Sequence, residues 1–316
     1  VNDEIALRVE GLTKRYGSLI AVKGLTLSVR RGEVFGLLGP NGAGKTTSIN
    51  MMCGLLQPDA GRVLIAGMPI ASRLEEVRVR VGVCPQEIVL WKQLTCLEQL
   101  QFVGEMYGLS GREARRRADS LLADLGLRDK RDQLARTLSG GMQRRLNLIL
   151  ALVHDPDILV LDEPEAGLDP QGRVLVRDYI RALARQKTII LTTHNMDEAD
   201  RVADRVAIID HGELLALDAP EALKRSTGEG DVIEIALVGQ PDGGEKARAA
   251  LAHLAGQATL SVTEKMMTVR ALKAGTLLPA ILDALARNEV SCGDVRLREN
   301  TLEDVFIRLT GRSLRE

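Results

Sequence analysis

Aromatic side chains are scarce in this chain of 316 residues. Phe, Trp and Tyr together make up 2% of it, which argues against the stacking platforms that grip single-stranded nucleic acid. Charge of one sign is not in excess either: 42 Lys and Arg face 43 Asp and Glu, for a net charge of −1. With no basic field, nucleic acid is not expected as a partner. Cys53, Cys84, Cys96 and Cys292 form no C-x-x-C pair and no metal-ligand spacing. They read as small buried hydrophobes in a reducing compartment. No apolar run approaches the length that crosses a bilayer. The first residues, Val1-Asn-Asp-Glu-Ile, carry charge where a signal peptide would be apolar. A soluble chain is expected, with any membrane role exercised through a partner.

What is present is a core and a phosphate loop. Apolar residues make up 45% of a length suited to two domains. Gly39-Pro40-Asn41-Gly42-Ala43-Gly44-Lys45-Thr46-Thr47 fits G-x-x-x-x-G-K-[ST]. The apolar run Glu33 to Leu38 predicts a buried strand before it, and Thr46 to Cys53 a helix after it. Glycines without a Cβ let backbone N–H groups close on phosphates. The helix start adds further donors and a partial positive charge. Lys45 supplies a point charge for the β- and γ-phosphates, and the Thr46 hydroxyl suits Mg²⁺.

Further chemistry sits where predicted strands end. Val81 to Cys84 is a short strand followed by Pro85-Gln86. Ile158 to Leu161 is a buried run ending in Asp162-Glu163. Asp162 is placed to hold Mg²⁺, and Glu163 to orient or deprotonate a water. Thr188 to Thr192 ends in Thr193-His194. Polar groups at several strand ends of one open α/β sheet define a ligand edge. Ser139-Gly140-Gly141 opens a second helix with an unobstructed start, Met142 to Val153, one more anion-binding terminus than a single nucleotide needs. From about Leu94 to Leu138 the spacing turns helical, an insert in the α/β domain. Its basic run Arg112 to Arg117 reads as a solvated helix face. Tyr16, between two predicted antiparallel strands, either packs at a hairpin edge or stacks on a base. Trp91 either fills core or faces a partner.

Together these residues resemble the nucleotide-binding subunit of an ATP-binding-cassette transporter, over roughly Ile5 to Thr227. The resemblance names Gly39 to Thr46 as Walker A, Gln86 as the Q-loop and Leu138 to Gln143 as the signature. Asp162 and Glu163 become Walker B, Gly167-Leu168-Asp169 the D-loop and His194 the switch. It implies ATP and Mg²⁺ as ligands, with Thr46, Gln86 and Asp162 near the metal. Glu163 is then the base, assisted by Gln86 and His194, and Tyr16 stacks on adenine. It also implies a second cassette, whose Ser139, Gly140 and Gly141 would cover ATP held on Walker A, with Asp169 at the same interface. Met142 in the signature, and Glu165 and Ala166 after Walker B, depart from the commoner pattern.

The fold expected is a P-loop α/β cassette with a mixed sheet, an antiparallel β layer and a helical insert at about 94–153, spanning residues 1–227. A small α+β module spans 228–316 after the hinge-like Ser226 to Gly230. Its predicted order is βαββαβα. The tail Asn300 to Gly311 is similar to that of drug-resistance and related exporters, while Leu302, Val305, Phe306 and Leu309 also make an amphipathic helix that could dock on its own module. The function expected is ATP-driven export through a transmembrane permease, from the inner face of the cell membrane. An importer cassette with a ligand-sensing C-terminal module, or a soluble non-transport ATPase, is the alternative.

Overall fold

A computed structural model describes residues 4–184, 186–226, 231–238, 243–252, 258–263, 265–271 and 274–311. Residues 227–230 of the expected hinge Ser226 to Gly230, and residues 253–254 of a helix expected over Lys246 to Leu254, lie outside these residues. In chain order, β1 (Ile5–Tyr16), β2 (Leu19–Arg30) and β3 (Val34–Leu38) precede α1 (Lys45–Met52). Then come β4 (Ala60–Ile65), β5 (Met68–Pro69), α2 (Leu74–Arg78) and β6 (Val81–Cys84). The insert supplies α3 (Cys96–Met106), α4 (Gly111–Asp124) and α5 (Gly140–Leu152). The chain returns through β7 (Ile158–Asp162), α6 (Pro170–Ala184), β8 (Thr188–Thr193), α7 (Met196–Val202), β9 (Arg205–Asp210) and β10 (Glu213–Asp218).

These elements form two sheets. One has the order β2-β1-β4-β5 and is antiparallel. The other has the order β10-β9-β3-β8-β7-β6, parallel apart from β10. Every residue of β3, β7 and β8 is buried, which is why their sequences read as unbroken apolar runs rather than alternations. Parallel pairing also brings the ends of β3, β6, β7 and β8 to one edge, the position where α/β sheets bind ligands. One apolar cluster, including Leu7, Phe35, Ile49 and Ile209, joins the two sheets and α1. A second, including Leu100, Leu122, Leu146 and Leu161, joins the insert helices to the parallel sheet.

Local chemistry sets the helix starts. Thr95 and Glu98 form a capping box at α3, with bonds of 3.1 and 2.8 Å. Ser110 caps α4, Ser139 caps α5 and Asn195 caps α7. Two details differ from the sequence expectation. The first strand, whose loose alternation in the sequence predicts only Glu4 to Glu10, continues to Tyr16 because bulges around Val9 to Lys14 shift its register. Arg117 is not simply solvated: it donates to the Val153 carbonyl (2.7 Å) at the end of α5 and pairs with Asp155 (3.0 Å).

By its contacts the chain divides after Ala219, eight residues ahead of 227, the last residue before the break expected from composition. The reason is α8 (Pro220–Ser226), which packs beside the last helix of the second unit. That unit continues with β11 (Asp231–Leu237), α9 (Gly243–Ala250), β12 (Thr259–Val262) and β13 (Met266–Ala271). It closes with α10 (Ala274–Arg287), β14 (Cys292–Arg298) and α11 (Leu302–Thr310). Its sheet has the order β12-β13-β11-β14. Leu302, Val305 and Phe306 of α11 are buried, but Leu309 is exposed.

Asp304 is the polar anchor of this unit. Its buried carboxylate accepts from Arg270 (2.7 Å), Arg298 (2.6 Å), Thr301 Oγ1 (2.9 Å) and the Thr301 N–H (2.9 Å). Those donors outweigh burial and hold the carboxyl well below the usual carboxylate range. Asp304→Asn leaves two arginines without their shared anion. The second unit should lose about 3 kcal/mol of stability by denaturant titration.

Candidate functional site

The loop between β3 and α1 is tight. A Cβ on Gly39 would sit 2.2 Å from the Ile209 carbonyl oxygen, and one on Gly44 2.4 Å from that of Ala21. Gly44 also has φ of 99°, a conformation open mainly to glycine. No side chain caps the start of α1, so its first N–H groups face the loop as a phosphate cradle does. Lys45 is buried and donates to the carbonyls of Gly39 (2.7 Å) and Pro40 (3.0 Å). Burial pulls its ammonium below the ordinary lysine value, against the opposing pull of Glu163 and Asp162. Asn41 and Gly42 are exposed at the loop tip, Ala43 is buried beneath it, and Thr47 follows on α1.

The carboxylates lie beside this loop. Asp162, the last residue of β7, accepts from Thr46 Oγ1 at 3.0 Å and from the Thr192 hydroxyl. Glu163 follows with φ of 51°, left-handed backbone that is uncommon for a side-chain-bearing residue. Its N–H donates to the Thr192 carbonyl and hydroxyl, both at 3.1 Å. Its carboxylate, largely buried, accepts from Gln86 Nε2 at 3.2 Å and meets His194 Nδ1 at 2.8 Å. Residues from four strand ends thus converge: Lys45 and Thr46 after β3, Gln86 after β6, Asp162 and Glu163 at β7, His194 after β8.

Other expected site residues stand apart. Tyr16 ends β1 with half its surface exposed and the Lys14 ammonium 5.9 Å from its ring. Ser139 Oγ accepts from Met142 N (3.3 Å), with Gly140 and Gly141 opening α5. Asp169 accepts from Gly172 N at 3.1 Å. Among the described residues, no hydrogen bond or ring contact joins Tyr16, Ser139, Gly140, Gly141 or Asp169 to Lys45, Asp162 or Glu163.

Sequence reasoning missed two residues of the site. Thr192 links Asp162 to the Glu163 backbone, and Arg144 binds carbonyls of both carboxylate residues. A strand-end threonine gives little signal, and Arg144 is indistinguishable by pattern from its neighbour Arg145. Glu165, singled out as a departure, is buried and held by Arg177 through bonds of 3.1 and 2.7 Å.

The family described as ABC transporter matches residues 22–166. The linearmycin resistance ATP-binding protein LnrL of Bacillus subtilis is 36% identical over 311 residues, spanning 98% of this chain and 100% of that one. The Nod factor export ATP-binding protein I of Ralstonia nicotianae is 43% identical over 312 residues, spanning 98% and 95%. This chain belongs to the ATP-binding proteins of ABC transporters. A solved cassette, described as a dimer in a post-hydrolysis state with ADP and Pi, matches with TM-score 0.63 at 26% identity. It aligns with 67% of this chain, over 98% of its own length. The protein is an ABC ATPase, and Lys45, Thr46, Gln86, Asp162 and Glu163 lie within the residues that the family matches, while His194 lies beyond them.

A second feature of the cassette is an apolar groove. A cavity of about 360 Å³ is lined by Leu55, Val83, Val89, Trp91, Tyr107 and His154, among others. Trp91 is 44% exposed and meets Phe102 edge-on at 5.5 Å, so it is not core filler. His154 stacks on Tyr107 at 3.8 Å, and burial pushes its pKa from 6.5 down to about 4. The folded state therefore favours neutral His154, while the unfolded chain takes up its proton first as pH falls. This group's contribution should be complete above pH 6.5 and decline between 6.5 and about 4. In His154→Phe, melting temperature against pH should lose part of that acid limb.

Proposed function

We propose that this ATPase powers export through a separate membrane permease, working from the cytoplasmic face of the cell membrane as one of two paired cassettes. The observation that carries the reading is the convergence of Lys45, Thr46, Gln86, Asp162, Glu163 and His194 on one sheet edge. Export is supported by relatives named for antibiotic resistance and for Nod factor export. Among the described residues no helix is long and apolar enough to cross a membrane. The exposed groove around Val89, Trp91 and Tyr107 is the surface that fits the membrane partner.

In this reading the loop from Gly39 to Thr47 cradles the phosphates of ATP, and Lys45 exchanges its carbonyl partners for phosphate oxygens. Thr46 and Asp162 already form an all-oxygen pair, and with Gln86 nearby they would hold Mg²⁺. Among the described residues no group of three or more His, Cys, Asp or Glu could hold a metal. That fits an ion that takes many of its ligands from phosphate and water. When bound, Mg²⁺ would neutralise charge on the phosphates. Glu163 takes the proton of the attacking water, Gln86 and His194 fix its carboxylate, and His194 reaches the γ-phosphate with its other ring nitrogen.

Ser139, Gly140, Gly141 and Asp169 lie apart from Lys45 in one chain because they serve the ATP of a second copy. Tyr16, half exposed at a hairpin end, stacks on the adenine. The solved relative with ADP and Pi is a dimer, which supports the pairing. In Glu163→Gln, ATP affinity should be kept while turnover falls about 1,000-fold, the range expected for losing a general base. Parental turnover in steady-state phosphate release would remove Glu163 from this role.

A further inference from the structure

Arg144 has no place yet in this function, although it is 3% exposed and sits at the centre of the site. Its guanidinium donates to four backbone carbonyls. Nη1 reaches those of Pro85 (2.8 Å) and Gln86 (2.7 Å). Nη2 reaches those of Asp162 (2.6 Å) and Glu163. These carbonyls lie where β6 and β7 end and ladder partners run out, so each needs another donor. A planar fork with several donors can serve two chain segments at once, which a lysine ammonium cannot do with the same geometry.

Two further observations bear on this clamp. Glu163 is left-handed at φ of 51°, a conformation that persists only where the surroundings over-determine it. Thr192 fixes its N–H, and Arg144 fixes its carbonyl. Asn147, on the same helix as Arg144, also grips the Gln86 loop: it accepts from Val89 N at 3.3 Å and donates to the Pro85 carbonyl at 3.4 Å. That helix, α5, is the one that Ser139 caps.

We infer that Arg144 is a positioning residue for hydrolysis, which locks the backbones of Gln86 and Glu163 and ties them to the helix that starts at Ser139. The inference rests on Glu163 as base and on Ser139 facing the partner's nucleotide, as proposed above. Docking of Ser139 on a second copy then bears directly on the chain's own Gln86 and Glu163, so the two ATP sites of a pair are mechanically linked through α5. The bonds of Arg144 Nη1 and Nη2 go to backbone carbonyls of Pro85, Gln86, Asp162 and Glu163, so its loss acts through Glu163 and Gln86.

The test uses the full chain with Mg²⁺ and ATP, comparing Arg144→Lys, Arg144→Ala and Glu163→Gln for unfolding, ATP affinity, KM and kcat. Arg144→Lys should unfold cooperatively and hold ATP affinity and KM within about threefold, while kcat falls about 100-fold, as for a small misplacement of the base. Millimolar methylguanidinium should restore about tenfold of the lost kcat in Arg144→Ala, because the cut-back side chain leaves room for the missing fork. A kcat for Arg144→Lys within about twofold of the parent would overturn the inference. So would parallel loss of folding, affinity and kcat in both variants without rescue, which is a structural role alone. Failure of the base assignment shows separately, as parental turnover in Glu163→Gln.

Discussion

Glu163 combines two costs: a carboxylate taken largely out of water, and left-handed backbone. The first is offset by hydrogen bonds from Gln86 and His194, the second by bonds from Thr192 and Arg144 to its own peptide groups. Left-handed backbone of this kind costs on the order of 1 kcal/mol or more, and the fold meets it by gathering three segments, the Gln86 loop, the end of β8 and α5, around one residue. Parallel pairing of β6, β7, β8 and β3 makes that gathering possible, because it delivers their ends to a single edge. The helical insert adds the fourth contact through α5, the only described element that carries both a signature-type helix start and a side chain bonded to the carboxylate strand.

That shared helix changes how the nucleotide loop is understood. Within one chain the loop has a glycine cradle, a lysine and a carboxylate pair, but among the described residues no hydrogen bond joins Ser139 at the second helix start to them. A site divided between two copies makes ATP part of the interface, and a ligand shifts such an equilibrium only through contacts made in one of its states. On the proposed pairing, Arg144 connects the half-site a chain owns with the half-site it lends.

Much of this was legible in the sequence because the signals were local. The spacing from Gly39 to Thr47 marks the loop, and unbroken apolar runs ending in Asp162 and in His194 mark the buried strands. The order of the small second module was readable from its alternations. What escaped notice depends on tertiary partners. Arg144 and Arg117 look like surface arginines until α5 is seen between the parallel sheet and α4. Leu309 fits the apolar stripe of α11 yet lies exposed. The division after Ala219, ahead of the polar linker, follows from packing of α8 against α11, which no local composition reveals.

The claim that each ATP is held by two copies is tested most directly by complementation between two inactive chains. Lys45→Ala removes the phosphate charge from one half-site, and Ser139→Glu places a carboxylate where the other half-site should meet phosphate. Each chain alone should be nearly inactive. Mixed, they can form pairs with one intact site, built from the loop of one and the helix start of the other. The account predicts that ATPase activity reappears on mixing. Full activity of Ser139→Glu alone, or a mixture that stays silent although the two chains associate, would contradict it.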